Sequence, residues 1–414
     1  MTISICLADL SAIQLVNNDD LKFNLNGRTQ IYGMMEHVED RYRDNTRLFL
    51  FLKQARLQMH GSYEDYKYNI QFASAGEDET RATGLGVSLN MLDFSFDIPV
   101  GDASLKIGQF KVPFGRESLS DSGYINYTQR SLNQLGFSVG RDVGLSYNID
   151  NDKFKLMTGL FTGAGRSTPE RFIPETLGVP MLVLRVGYDS GLDDNYYALH
   201  KKIPKGSDKK VSYFINALFT KDTLVGHSTA LRVRKSDKSL LLNGQWNPYI
   251  DQKPLDQGNL FQLGVDWAMA KNLKKGILNI EAEYLYGKYE NDFGEVSMTG
   301  GRLQASLKKG TWEYALRYSF LDPDEKFANK GIQVTGGSLI HEIAPAITYH
   351  LKKMNKAKIV FDFPTLINVP VVEEIGFGSY VLTEQPDQAS YVGKGGFIDR
   401  ETVYQIRALL QLSF

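Results

Sequence analysis

The sequence predicts an all-β fold, a transmembrane antiparallel β-barrel, and three observations carry that reading. Apolar and polar residues alternate with a period of two along most of the chain, as strands with two different faces require. No apolar run approaches the roughly 18 residues of a spanning helix, so a helical membrane protein is excluded. The apolar faces carry Tyr, Phe and Trp near the ends of the runs, where a barrel meets the two membrane interfaces. A mean hydropathy of −0.28 looks soluble, yet a barrel needs apolar residues only at alternate positions and leaves its lumen and loops polar.

The elements follow in order. In the segment Asp65 to Ser74, Tyr66, Tyr68, Ile70 and Phe72 share one face, and Lys67, Asn69 and Gln71 the other. Val143, Leu145, Tyr147 and Ile149 oppose Asp142, Ser146 and Asn148. Trp312, Tyr314, Leu316, Tyr318 and Phe320 oppose Glu313, Arg317 and Ser319. The last run sets Tyr404, Ile406, Ala408, Leu410, Leu412 and Phe414 against Gln405, Arg407, Gln411 and Ser413. The runs add up to roughly eighteen strands, with short runs between Tyr196 and Trp246 read as hairpins inside loops. Short turns (Gly61 to Glu64, Asp150 to Asp152, Lys308 to Gly310) contrast with long connections at Phe114 to Gly140, Gly163 to Pro180, Asn247 to Gly258 and Pro364 to Glu401. Short turns on one rim and long loops on the other suit a barrel.

No composition break divides the 414 residues, so residues 21–414 are read as one barrel and residues 1–20 as a leader remnant or N-terminal extension. Met1 to Leu7 holds no Lys or Arg, so either the basic start of an export signal lies upstream of Met1 or the chain is not exported, and the first is the expectation. The single cysteine, Cys6, excludes a disulfide framework and a cysteine-held metal, and no Cys-x-x-Cys-His offers haem attachment.

Two blocks are more specific. Lys106-Ile107-Gly108-Gln109-Phe110-Lys111-Val112-Pro113-Phe114-Gly115 is followed by Gly140-Arg141-Asp142-Val143-Gly144-Leu145. Together they resemble the signature of the phosphate-selective O/P porins of bacterial outer membranes, in which such a strand end runs into a long loop and Arg-Asp-x-Gly opens the next strand. The resemblance implies a bacterial outer-membrane location, about 16 strands (within 16–18), a homotrimer and a loop, residues 114–140, folded inward to narrow the pore. The terminal Phe414 resembles the signal by which outer-membrane barrels are recognised for assembly.

Charge placement bears on the cargo. The net charge is −1, so affinity for anions has to come from local arrangement. Between Ala103 and Arg141, Lys106, Lys111, Arg116, Arg130 and Arg141 stand against Glu117 and Asp121. Lys111, Arg116 and Arg130 are the expected positive eyelet. Arg232 and Arg234, two apart on an alternating run, are expected to face the lumen, where guanidinium groups attract oxyanions. The competing reading has the basic lumen residues balance Glu281, Glu283 and Glu313. Lys201, Lys202, Lys205, Lys209 and Lys210 read as a solvated or lipopolysaccharide-facing loop.

No catalytic site, cofactor or metal is expected. Gly136-Phe137-Ser138-Val139-Gly140 matches a nucleophile elbow, but an alternating run follows it where a helix is needed. His37, His60, His200, His227, His341 and His350 lack metal-ligand spacing, and Gly84-Leu85-Gly86 completes no dinucleotide fingerprint. The reading is therefore a passive channel for small anions, with phosphate the candidate solute, set in outer-membrane lipid and lipopolysaccharide, with no nucleic-acid partner. Two alternatives stand beside it. One is a barrel sheathing a periplasmic or extracellular protein partner, such as a multihaem cytochrome; the other is a secreted soluble β-rich carbohydrate-binding protein.

Overall fold

A computed structural model describes residues 13–18, 20–39, 44–74, 89–137, 139–151, 153–163, 165, 179–190, 208–224, 231–233, 240–242, 257–291, 294–323, 339–351, 356–372 and 398–414. A short ribbon strand, β1 (Ile13–Asn17), leads into β2 (Leu21–Glu39), β3 (Asp44–Tyr63), β4 (Tyr66–Ser74), β5 (Asn90–Val100) and β6 (Ala103–Lys111). Two short helices, α1 (Arg116–Leu119) and α2 (Leu132–Phe137), interrupt the strands before β7 (Arg141–Asn151), β8 (Phe154–Phe161), β9 (Val179–Asp189) and β10 (Lys209–Leu224). A separate two-stranded sheet, β11 (Leu231–Val233) with β12 (Leu240–Leu242), precedes β13 (Gln257–Leu273), β14 (Gly276–Asn291), β15 (Gly294–Lys309) and β16 (Trp312–Pro323). Last come β17 (Ile340–His350), β18 (Ala357–Asp362), β19 (Thr365–Val372) and β20 (Ile398–Ser413).

Each wall strand pairs antiparallel with its sequence neighbours, and β20 closes the ring on β2, from Arg28↔Ser413 to Glu39↔Thr402. The staves number 16. β18 and β19 are two halves of one stave, since both pair with β17 and with β20. Pro364, which lacks an N–H, separates them; its carbonyl accepts from Gln405 N at 3.0 Å. Sixteen agrees with the number the family resemblance implies and lies at the low end of the 16–18 range, while Pro364 to Glu401, read as one long loop, contains β19 and the start of β20. β1 lies in the stretch set apart as residues 1–20, yet it pairs with Lys22 to Leu25 of β2.

Outward faces are apolar and exposed: Leu48 (80%) and Leu50 (77%) on β3, and Tyr314, Leu316 and Tyr318 on β16. Inward faces are polar and buried: Glu313, Arg317 and Ser319 on β16, and Gln405, Arg407 and Gln411 on β20. An apolar exterior around a polar interior is a membrane barrel and the inverse of a soluble sandwich. This face assignment also gives a test at the seam. Phe414 exchanges backbone hydrogen bonds with Gly27 (2.9 and 3.2 Å), and its ring covers the position a Gly27 Cβ would take. Phe414→Ser is expected to lower the yield of folded barrel on a heat-modifiability gel far more than the neighbouring lumen-side Ser413→Ala.

Short turns at Glu64–Asp65, Gly101–Asp102, Lys274–Lys275 and Gly310–Thr311 share one rim, the periplasmic rim of such barrels. β9 ends and β10 begins on that same rim. Lys209 and Lys210 are therefore strand residues at the periplasmic end of β10, away from the lipopolysaccharide side; Lys201, Lys202 and Lys205 lie outside the described residues.

Candidate functional site: a polar pore beside a docked loop

The chain turns into the barrel after β6, and each residue of the signature contributes to that entry. Gln109 Nε2 donates to the carbonyls of Met91 and Leu92, both at 2.9 Å, and fixes the strand end. Lys111 Nζ donates to the carbonyls of Ser118, Leu119 and Ser120 at 2.9–3.1 Å, holding the end of α1. Val112 and Phe114 are buried with Phe161, Leu285 and Met298 in an apolar cluster inside the barrel. Gly115 takes φ +73°, a left-handed conformation that a side chain would strain, and its N–H reaches Asn216 Oδ1 at 3.3 Å. At the second block, Asp142 accepts from Val143 N, Thr162 Oγ1 and Gly163 N at 2.5–2.7 Å, so it organises the chain after β8.

The loop is tied to the wall formed by β10 to β18. Arg116 is fully buried: its Nε donates to Asp266 Oδ1 at 2.8 Å, its Nη2 to Ser212 Oγ at 2.7 Å, and its backbone N–H to Glu283 Oε1 at 2.6 Å. Arg185 donates to the other oxygen of Asp266 at 2.6 Å. Glu117 accepts from Ser131 and lies 3.6 Å from Arg302; burial pushes its carboxyl up, but the guanidinium groups of Arg302, Arg317 and Arg130 outweigh that and hold it below the usual range. Further along, Asn126 reaches Glu313 (2.9 Å), Thr128 N reaches Asp362 (2.8 Å) and Leu132 N reaches Glu342 (3.1 Å). Buried charges of this kind are costly without an opposite charge beside them, so these pairs hold the loop against the wall.

α2 rests on a notch of the same wall. A Cβ at Gly300 would lie 2.7 Å from the Phe137 ring and 2.5 Å from Asn133 Oδ1, and one at Gly287 would lie 3.0 Å from Phe137. Gly300→Leu is therefore expected to push α2 off the wall, at an overpacking cost of about 1–3 kcal/mol. Single-channel recordings should then show altered conductance and more current noise, with the barrel still heat-modifiable.

On the other side of the loop, between it and the wall from β2 to β8, lies an open polar cavity of about 770 Å³. Its basic lining residues are Arg28, Arg56, Lys106, Lys111, Arg141 and Lys356; its acidic ones are Asp93 and Asp121. Asn26, Gln58, His60, Asn69, Gln71, Ser146 and Asn148 add uncharged hydrogen-bonding groups. Arg141 holds Asp93 through two bonds (2.9 and 3.1 Å), and Arg28 pairs with Asp121 of the loop. Arg56 Nη1 donates to Ser122 Oγ at 3.2 Å, and Lys106 lies 3.3 Å from Asp97.

The expected site residues thus separate. Lys106, Lys111 and Arg141 line the cavity. Arg116 is inside the protein against Asp266. Arg130 is half-buried, donating to the carbonyls of Glu117 and Ser120 within the loop, and neither it nor Arg116 is among the cavity lining. Arg232 belongs to β11, outside the barrel wall, and Arg234 lies outside the described residues. Glu281 and Glu283 face Arg302, and Glu313 faces His350 and Asn126, so these acids serve the loop-docking wall. Arg28, Arg56 and Lys356 join the lining without having been singled out by the sequence pattern. Ser138 lies outside the described residues, and Gly136 and Phe137 before it belong to α2, so no strand leads into the elbow-like motif.

Residues 23–176 match the family described as phosphate-selective porin O and P. No curated protein matches the sequence. The structure is similar to an anion-selective porin from Comamonas acidovorans, with TM-score 0.54 and 12% identity over 95% of this chain and 100% of that one. It is also similar to the outer-membrane channel DcaP of Acinetobacter baumannii (TM-score 0.54, 11% identity, 97% and 99% covered) and to OmpT of Vibrio cholerae (0.51, 9%, 96% and 99%). At these identities the likeness to solved structures establishes the fold. Both signature blocks and the loop they frame fall inside the matched residues, and the chain is accordingly an outer-membrane β-barrel whose residues 23–176 are similar to the phosphate-selective porin O and P family.

Proposed function

We propose that the protein is a passive diffusion channel for small anions, phosphate among them, which pass between the docked loop and the basic wall of β2 to β7. The observation that carries this is the lining itself: six basic side chains against two acidic ones around one cavity, in a chain of net charge −1. Charge of one sign in a narrow water-filled passage raises the local concentration of counter-ions, while hydration and many weak contacts let them leave. Asp266, Glu281, Glu283 and Glu342 lie across the loop, where Arg116, Arg185, Arg302 and Arg317 hold them.

A cavity of about 770 Å³ is of small-molecule size. That favours a small solute over a threaded protein such as a multihaem cytochrome. A homotrimer fits the family and the trimer form reported for the Vibrio cholerae OmpT. Proteoliposome swelling tests the proposal. Small monoanions are expected to enter faster than cations of matched size, and equal rates would remove the case for anion preference.

A further inference from the structure

Outside the pore, the lipid-facing side of β8, β9, β10 and β13 carries a continuous aromatic shelf. Phe154 pairs in register with Tyr188, Tyr188 with Tyr213, and Tyr213 with Trp267, across four adjacent strands. Phe154, Tyr213 and Trp267 are 48%, 52% and 36% exposed, and the rings of Tyr188 and Tyr213 stack at 5.2 Å. Rings of this kind settle at the headgroup level of a bilayer. Four residues nearer the periplasmic rim on the same face, Lys209 of β10 is directly opposite Lys271 of β13, and Lys274 and Lys275 form the adjoining turn. All four are exposed.

Lys209 and Lys271 thus place two ammonium groups side by side on neighbouring strands, a spacing that one anionic headgroup can bridge. The opposite arc of the same rim is net acidic, with Asp20, Glu64, Asp65 and Asp102 exposed there against Lys22 and Lys67. The four lysines Lys209, Lys271, Lys274 and Lys275 are clustered beneath the shelf.

We propose that Lys209, Lys271, Lys274 and Lys275, below the ring shelf of Tyr188, Tyr213 and Trp267, form a binding site for an anionic phospholipid of the periplasmic leaflet. The ammonium groups take the phosphate and the rings cover the glycerol and upper acyl chain. Their height at the membrane edge selects a lipid phosphate over a free one, because only a lipid also fills the shelf. The site does not depend on what the pore conducts.

Native mass spectrometry of the detergent-solubilised protein tests this, with phosphatidylglycerol, phosphatidylcholine of the same chains and inorganic phosphate as probes. Phosphatidylglycerol is expected to stay bound where phosphatidylcholine dissociates. Each lysine near an anionic lipid headgroup adds to its attraction, so replacing all four lysines with Gln is expected to weaken phosphatidylglycerol binding by about tenfold or more. The same change at Lys22 and Lys67, on the acidic arc, is expected to leave binding unaltered, and unchanged single-channel conductance shows that the fourfold variant is folded. Equal retention of the two lipids by the wild-type protein would overturn the proposal, as would full retention of phosphatidylglycerol by the fourfold variant. Displacement by equimolar inorganic phosphate would identify a free-anion site and overturn it too.

Discussion

Replacing Arg28, Arg56 and Arg141 together with Gln is expected to lower the anion-to-cation permeability ratio by about tenfold. A unit charge about 4 Å from an ion contributes about 1 kcal/mol in bulk water and several times that at the lower effective dielectric of a constriction. The substitution takes away three of the six basic lining residues and leaves Asp93 and Asp121 in place, without their arginine partners. The cavity then approaches neutrality. The effect should be largest at low ionic strength, since the Debye length is about 10 Å at 0.1 M and about 3 Å at 1 M. Lys22 and Lys67, exposed near the periplasmic rim, are the control pair. A triple variant with wild-type selectivity would show that these side chains do not set it.

Asp266→Ala is expected to be the most damaging single substitution in the loop-docking wall. Arg116 and Arg185 both rely on this carboxylate, and the side chains of all three are 0% exposed. Removing one member of a buried pair leaves an uncompensated charge and costs about 3–5 kcal/mol. The loss should appear as a lower temperature for conversion of the heat-modifiable band and as unstable current steps when the loop leaves its seat. Asp266→Ala combined with Arg116→Met removes one of the stranded charges and is expected to restore part of the loss. A single variant with wild-type melting and quiet currents would mean that the loop is held by its apolar contacts, among them Val112, Phe114 and Phe137.

Strand faces could be read from the sequence because inside and outside of a barrel differ in solvent, and period-two alternation records that difference residue by residue. Trp312 to Phe320 and Tyr404 to Phe414 fall as the alternation places them. The same signal was available for Arg28: Lys22, Asn24, Asn26, Arg28 and Gln30 alternate with Phe23, Leu25, Gly27, Thr29 and Ile31. Arg116 was different. A basic residue in a loop carries no mark of the wall it will meet, and its partner Asp266 lies 150 residues away. Arg232 misled for a related reason, since three alternating residues in the β11–β12 hairpin look like a fragment of wall strand. The charge excess from Ala103 to Arg141 was thus real in composition but divided in space. Lys106, Lys111 and Arg141 reach the cavity, while Arg116 and Arg130 hold the loop.

The most direct test of anion conduction is the zero-current potential of the purified wild-type protein in a planar bilayer under a tenfold potassium chloride gradient. An anion-preferring pore sets a potential of the sign carried by chloride, and its size should shrink when both chambers are brought to high ionic strength at the same ratio. A potential of the sign carried by potassium would contradict the account.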